Sequence, residues 1–184
     1  SKIAGAPFIE ACFYEIADRL IPGLVVDVHK PISLGWNGGV VYQVSKKRPQ
    51  DEGHQRNILM HALTSQPGIR LIIAVDDDVD IYSTDDVMWA IMSRADPFTD
   101  YLTADGSTGS TVAKLLERSQ TLNAGARGGL AIDATVSFLS KDHFERPQYI
   151  GNQLDLKKWL LESDINAVRS QQSEYARCLS QRGW

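Results

Sequence analysis

The sequence predicts an α/β domain with a central, mainly parallel (mixed) sheet and helices on both faces, followed by a helical C-terminal extension. Short apolar runs alternate along the chain with segments of roughly 10 to 15 residues that have helical periodicity. Glycine and proline residues stand at the ends of many of these segments. The chain has 184 residues, 43% of them hydrophobic, which is enough for one sizeable core without a metal or a disulfide. We expect residues 1–136 to form the α/β domain and residues 137–184 to form the extension.

The first segment, residues 7–20, has the spacing of a helix with one buried stripe. Its apolar side chains recur at helical intervals, for example at Phe8, Phe13 and Ile16. Pro22 and Gly23 follow, and they predict its end because proline cannot continue a helix while glycine accepts the left-handed exit.

Two apolar runs, residues 24–28 and 40–44, are predicted strands separated by a glycine-rich turn. Because the connection is short, we expect them to pair antiparallel at one side of the sheet. The second run is followed by the basic residues Lys46, Lys47 and Arg48. Such a run is typical of a solvated strand end, but its point charges could also hold a phosphate.

Residues 53–66 form the second predicted helix, and residues 71–75 form the predicted central strand. The helix has a short apolar stripe and ends before Pro67 and Gly68. The strand is a continuous apolar run bounded by turn signals, which indicates burial on both faces of the sheet.

An acidic cluster leaves the end of this central strand: Asp76, Asp77, Asp78 and Asp80. The carboxyl edge of an open α/β sheet is where ligands bind, and clustered carboxylates suit Mg²⁺ or Ca²⁺. The alternative is a turn whose acids serve the next helix N-terminus and a basic partner such as Arg94, and we favour this interpretation. Ser83 is the predicted N-cap of that helix, which runs to about residue 95.

The remaining segments carry weaker signals. Residues 101–111 are predicted to be a loop, and their Gly106–Thr111 part resembles a phosphate cradle but lacks the lysine of a P-loop. The other predictions are a helix at 112–122, a glycine-rich loop at 125–129, a short strand at 130–135 and polar-faced helices at 154–161 and 165–179.

Composition excludes several classes of function. The net charge of −4 argues against a protein that binds nucleic acid. No apolar run approaches the roughly 18 residues of a membrane span. Cys12 and Cys178 are interpreted as two free thiols of a cytoplasmic protein. The four histidines are interpreted as surface or capping residues, because none has the spacing of a metal site.

Five ordered blocks nevertheless resemble one family, the UbiD-like decarboxylases. The most specific is residues 76–97, which begins Asp-Asp-Asp-Val-Asp and continues with Asp-Val-Met-Trp-Ala-Ile-Met-Ser-Arg-Ala-Asp-Pro. The other four are similar to family blocks in the same order and lie at residues 22–31, 41–47, 53–56 and 129–135. The last of these differs from the family pattern by an additional residue, Ala131.

The resemblance implies an α/β domain from a family of carboxy-lyases that use prenylated flavin mononucleotide. These enzymes reversibly decarboxylate aromatic, heteroaromatic or α,β-unsaturated acids. The family's Glu-Arg-Glu catalytic network, and its metal ligands for the flavin phosphate, lie in an N-terminal and central region that this chain does not match. We therefore assign no catalytic residue and no metal ligand here, and expect the chain alone to bind no cofactor. Only Lys46 and Lys47 are carried over as cofactor contacts, because the family directs a lysine of that strand to the flavin phosphate.

The resulting hypothesis is a C-terminal oligomerisation and lid domain of a UbiD-like decarboxylase, inactive alone. Its complete enzyme would use prenylated FMN with a divalent metal and K⁺, and its partner would be a second copy in a homodimer or larger oligomer. The alternative is a stand-alone dimerisation module without a catalytic role. A receiver-like phosphoacceptor is a third reading, but the acceptor aspartate and later lysine that it needs are not placed by the sequence.

Overall fold

The computed structural model describes residues 6–34, 38–65, 69–104 and 128–144. Within these ranges it contains three α-helices and one five-stranded sheet. In chain order the elements are α1 (Ala6–Leu20), β1 (Val25–His29), β2 (Gly39–Val44), α2 (His54–Ser65), β3 (Leu71–Asp76), α3 (Thr84–Arg94), β4 (Tyr101–Thr103) and β5 (Leu130–Ala134). Three short 3₁₀ helices, at Ile32–Leu34, Pro49–Asp51 and Phe138–His143, were not predicted.

The sheet is mixed, and its strand order is β1-β2-β3-β5-β4. The three central strands β2, β3 and β5 are parallel, while β1 and β4 pair antiparallel at the two edges. This confirms the predicted fold class and the predicted antiparallel pairing of the first two strands. Parallel central strands need crossovers, and α2 supplies the one between β2 and β3.

Two apolar clusters cover the two faces of the sheet. One contains residues of α1 and α2, for example Phe13 and Leu59, together with Ile72 of β3. The other contains residues of α3, for example Ile91, together with Ile73 of β3. Neighbouring residues of β3 therefore point to opposite faces and both are buried, which confirms that the continuous apolar run is a central strand.

The predicted exit of α1 is also confirmed. Gly23 has a φ of 77°, in the left-handed region where glycine is favoured. A second glycine with positive φ, Gly53 at 87°, lies immediately before α2. Both positions are open space for a β-carbon, so backbone conformation rather than crowding favours glycine there.

The prediction of a loop beginning at residue 101 is wrong for its first three residues. Tyr101–Thr103 forms β4, which pairs with β5 through Leu102 and Ala131. Three residues are too few to show a strand periodicity, and β4 exists because β5 offers it a partner edge. Other boundaries differ from the predictions by one residue, as in β1 and α3.

Several predictions fall outside the described residues. These are the Gly106–Thr111 segment, the helices at 112–122, 154–161 and 165–179, and the thiol of Cys178. The proposed boundary between residues 136 and 137 stays a prediction. Among the helices that the structure does describe, none combines the length and apolar character that crossing a membrane requires.

Candidate functional site

The carboxyl ends of β2, β3 and β5 lie at one edge of the sheet because these strands are parallel. Polar residues follow each of them: Lys46 after β2, the aspartates from Asp76 onward at β3, and Thr135 after β5. A cleft of about 540 Å³ opens at this edge. Its walls include Glu52 and Arg56 from the start of α2 and Arg94 from the end of α3.

The two lysines predicted as cofactor contacts differ in availability. Lys46 is 2% exposed, and its Nζ donates to the carbonyl oxygen of Val136 at 2.5 Å and to Thr135 Oγ1 at 3.0 Å. Glu52 Oε2 lies 3.3 Å from the same ammonium. Lys47 is exposed. Neither lysine lines the cleft: Lys46 is tied to acceptors that do, whereas Lys47 presents its side chain to solvent.

The acidic cluster is organised by Arg94, as the favoured interpretation predicted. Arg94 Nη1 contacts Asp76 Oδ2 at 2.9 Å, and Nη2 contacts Asp78 Oδ2 at 2.6 Å. Burial raises the pKa of Asp76, against the opposing effects of a hydrogen bond from the Val136 N–H and the charges of Lys46 and Arg94. The cluster is thus a turn with a basic partner, and within the described ranges no three His, Cys, Asp or Glu side chains are arranged to hold a metal ion.

The predicted N-cap of α3 is confirmed. Ser83 Oγ accepts a hydrogen bond from the backbone N–H of Asp86 at 3.3 Å. The carboxylate of Asp86 accepts from the backbone N–H of Asp80 rather than from Ser83. The Ser83 hydroxyl therefore caps the helix, and the Asp86 carboxylate caps the turn before it.

Arg94 also lies between two aromatic rings. Its guanidinium carbon is 5.1 Å from the centroid of Trp89 and 4.7 Å from that of Phe144. These contacts attach the 3₁₀ segment Phe138–His143, which ends beside Phe144, to α3. Trp89 is packed against the second apolar cluster.

A second polar network was missed by sequence reasoning. Arg56 Nε contacts Asp133 Oδ2 at 3.1 Å and its Nη2 contacts Asp100 Oδ1 at 2.6 Å, with a further hydrogen bond to the carbonyl oxygen of Thr99. Asp133 also accepts from Gln55 and from Thr135. The Arg56 and Asp133 positions stood inside blocks with family resemblance, but only the fold brings them together.

The histidines and Cys12 have no place in the cleft lining. His29 Nδ1 lies 3.0 Å from Glu10 Oε1, which joins β1 to α1. His54 begins α2, and its buried Nδ1 has no hydrogen-bond partner. Cys12 is a free thiol, as predicted.

Two buried polar atoms of the Arg94 cluster also have no partner. They are Oδ1 of Asp76 and Nε of Arg94 itself. Buried polar atoms without partners are uncommon and point to water or to a contact that this chain alone does not supply. The cleft can therefore offer charged and polar groups to a ligand.

The chain matches one protein family over most of its length. Residues 3–134 match the family described as 3-octaprenyl-4-hydroxybenzoate carboxy-lyase C-terminal domain. Gallate decarboxylase of Lactiplantibacillus plantarum is 32% identical over 164 residues, which are 86% of this chain and 33% of that protein.

Solved structures of decarboxylases also match this chain. The apo 3,4-dihydroxybenzoic acid decarboxylase AroY of Klebsiella pneumoniae superimposes with a TM-score of 0.66 at 30% identity, over 76% of this chain and 29% of that one. The UbiD-class enzyme HmfF of Pelotomaculum thermopropionicum, solved in complex with FMN, gives a TM-score of 0.67 at 24% identity. That match covers 82% of this chain and 32% of HmfF. The chain therefore spans about a third of the length of the proteins that it matches.

Proposed function

The chain belongs to the UbiD-like decarboxylase family, whose C-terminal domain it carries, and we propose that it is the oligomerisation and lid domain of such a decarboxylase. In this proposal the reaction is the reversible, non-oxidative decarboxylation of an unsaturated or aromatic carboxylic acid. The Glu-Arg-Glu catalytic groups lie outside these 184 residues, so the chain alone is inactive. Its contribution is to close the site and to present basic side chains at the carboxyl edge of the sheet.

The observation that carries the proposal is the polar cleft at that edge. The five family-like blocks predicted from the sequence are separate along the chain, yet residues from three of them line this cleft: Arg56, Arg94 and Asp133. The block at 41–47 ends at the same edge with Lys46 and Lys47. A function of the domain at the carboxyl edge of the sheet explains why residues so far apart in sequence lie together there.

Prenylated FMN is the proposed cofactor of the complete enzyme, with a divalent metal ion and K⁺ bound outside this chain. When bound, the flavin supplies the electrophile and electron sink of the decarboxylation. The residues here fit one end of it: the exposed ammonium of Lys47 suits a phosphate. The Lys46 ammonium would contact the same phosphate by replacing one of its internal acceptors with a phosphate oxygen.

The proposed substrate is a hydroxylated benzoic acid. Gallate decarboxylase and AroY, named for tri- and dihydroxybenzoic acids, are relatives at 30% identity or more. Heteroaromatic and unsaturated acids are the alternatives that the family allows. Decarboxylation assays of the complete enzyme on all three classes would separate them.

The proposed partner is a second copy of the chain. Large apolar side chains are exposed on and just after α3, with Met92 80% and Phe98 93% exposed. Exposed side chains of this kind are enriched at the cores of interfaces. Light scattering of the complete protein should show a dimer or larger oligomer, and a monomer at high concentration would contradict this part of the proposal.

The lysine contacts are tested by flavin binding to the complete enzyme. Lys47→Met and Lys46→Met each remove one charge-assisted hydrogen bond to phosphate, which should raise the Kd for FMN about tenfold or more. Quenching of flavin fluorescence measures this Kd. Arg19→Met, at an exposed site on α1, is the matched control. Unchanged FMN binding in both lysine variants would contradict the assignment.

A further inference from the structure

We infer that Asp76 is a positioning residue for Lys46 and acts through the backbone of Val136. The inference rests on the proposed function in one respect, because Lys46 matters to catalysis only as a cofactor contact. Its geometry stands on the described residues alone.

The backbone of Val136 is held on both sides of its Cα, through the peptide group before it and the peptide group after it. Its N–H donates to Asp76 Oδ2 at 2.7 Å, and its carbonyl oxygen accepts from Lys46 Nζ at 2.5 Å. Val136 follows the end of β5 and makes no strand ladder that would fix it otherwise. The carboxylate of Asp76 therefore sets where the principal acceptor of the Lys46 ammonium lies.

Asp76 is itself rigidly placed. Its side chain is 3% exposed and bonded to Arg94, whose side chain is 1% exposed. Arg94 is fixed in turn by Asp78 and by the rings of Trp89 and Phe144. A carboxylate anchored in this way can hold a neighbouring peptide group in a single position.

The other acceptors of Lys46 belong partly to the same segment. Thr135 precedes Val136 and accepts from Lys46 through its hydroxyl. Glu52 accepts from Lys46 and also from the backbone N–H of Phe138 at 2.6 Å. A shift of the segment 135–138 would therefore disturb every contact of the Lys46 ammonium.

A merely structural role for Asp76 predicts a different pattern. If loss of its charge only loosened the fold, every buried amine would become more accessible. Lys30, 5% exposed at the end of β1, is an internal reference for such loosening. A positioning role exposes Lys46 and leaves Lys30 protected.

The test is the acetylation rate of each lysine in the 184-residue chain under native conditions, measured by peptide mass spectrometry with N-acetoxysuccinimide as the reagent. Asp76→Asn should raise the rate at Lys46 about tenfold and change the rate at Lys30 by less than about twofold. Asp85→Asn, the same substitution at an exposed position of α3, should change neither rate. Equal increases at both lysines, or no increase at Lys46, would overturn the inference.

A second variant separates position from charge. Asp76→Asn also removes a carboxylate charge that interacts with the Lys46 ammonium, whatever the position of the Val136 backbone. Val136→Pro removes the backbone N–H that donates to Asp76 and leaves the charge of the Asp76 carboxylate in place. It should therefore also raise the acetylation rate at Lys46. A protected Lys46 in this variant refutes the inference, even if Asp76→Asn does not fold. No cofactor is present in the assay, so its failure is distinguishable from a failure of the proposed function, which the FMN titration tests.

Discussion

Arg94 contacts four other side chains at the carboxyl edge of the sheet. It pairs with Asp76 and Asp78 and stacks between Trp89 and Phe144. A planar guanidinium can make bidentate and stacking contacts together, which a lysine ammonium cannot. The geometry of the edge therefore depends on arginine and not only on positive charge.

Arg94→Met should destabilise the chain severely. It leaves the Asp76 carboxylate buried without its cation, which costs about 3 kcal/mol of unfolding free energy. Urea unfolding followed by circular dichroism measures the loss. Arg19→Met, at a pair with side chains 78% and 61% exposed, should cost about 0.5 kcal/mol or less. Equal losses in the two variants would contradict the role assigned to Arg94.

Glu52 should make stability depend on acid pH. Burial opposes its ionisation, but hydrogen bonds from the Phe138 N–H and Gln55 and the charge of Lys46 outweigh it, so the pKa of Glu52 lies below its ordinary value of 4.5. The stabilisation is complete above that value and is lost as pH falls through the lowered pKa of the folded state.

Glu52→Gln should therefore flatten the fall of the urea midpoint below about pH 4.5. Midpoints measured at intervals between neutral pH and pH 3 would show this. Glu15→Gln, at an exposed pair on α1, should keep the slope of the parent chain. A Glu52→Gln curve parallel to that of the parent chain would refute the role of this carboxylate.

Some side-chain contacts of the site could be predicted from the sequence, and others could not. The pairing of Arg94 with the acidic turn could be predicted, because a strand, a turn and one helix place them together. The contact of Arg56 with Asp133 could not, since 77 positions separate them and only the pairing of β3 with β5 determines their distance. The burial of Lys46 was missed for the same reason, because its acceptors lie near residue 136.

At the scale of elements, local chemistry accounts for the start of α3. Ser83 accepts from the Asp86 N–H, and two acids stand in the first turn, at the positive end of the helix dipole. Ser83→Ala should cost about 1 kcal/mol of unfolding free energy. Thr84→Ala, an exposed position in the same turn that does not provide the cap, is the control. Thermal unfolding that ranks the two variants equally would contradict the cap.

Elements that depend on tertiary context were the ones that sequence reasoning missed. β3 was predicted because the five residues 71–75 form one continuous apolar run. β4 has three residues and only partly buried side chains, so nothing in its own sequence distinguishes it from a loop. Its pairing with β5 satisfies the hydrogen-bonding needs of backbone groups at the sheet edge. The formation of β4 therefore depends on β5 as much as on the sequence of β4 itself.

At the scale of the whole molecule, the described residues form an extensive core, whereas we propose that the catalytic groups lie outside the chain. Two apolar clusters cover both faces of the sheet, which explains how a chain of this length can fold. The same chain spans about a third of the length of gallate decarboxylase and of AroY, and its cleft is lined by charged and polar side chains. The fold class could be predicted from periodicity, whereas no motif in these residues identifies a substrate acid.

The most direct measurement of the central claim is CO₂ release from carboxyl-labelled 3,4-dihydroxy- and 3,4,5-trihydroxybenzoate in the presence of prenylated FMN. It compares the purified 184-residue chain with the complete decarboxylase that we propose carries it. We expect turnover by the complete enzyme and none by the chain alone, because in the proposed function the groups that move protons lie outside these residues. Sustained CO₂ release by the 184 residues alone would contradict it.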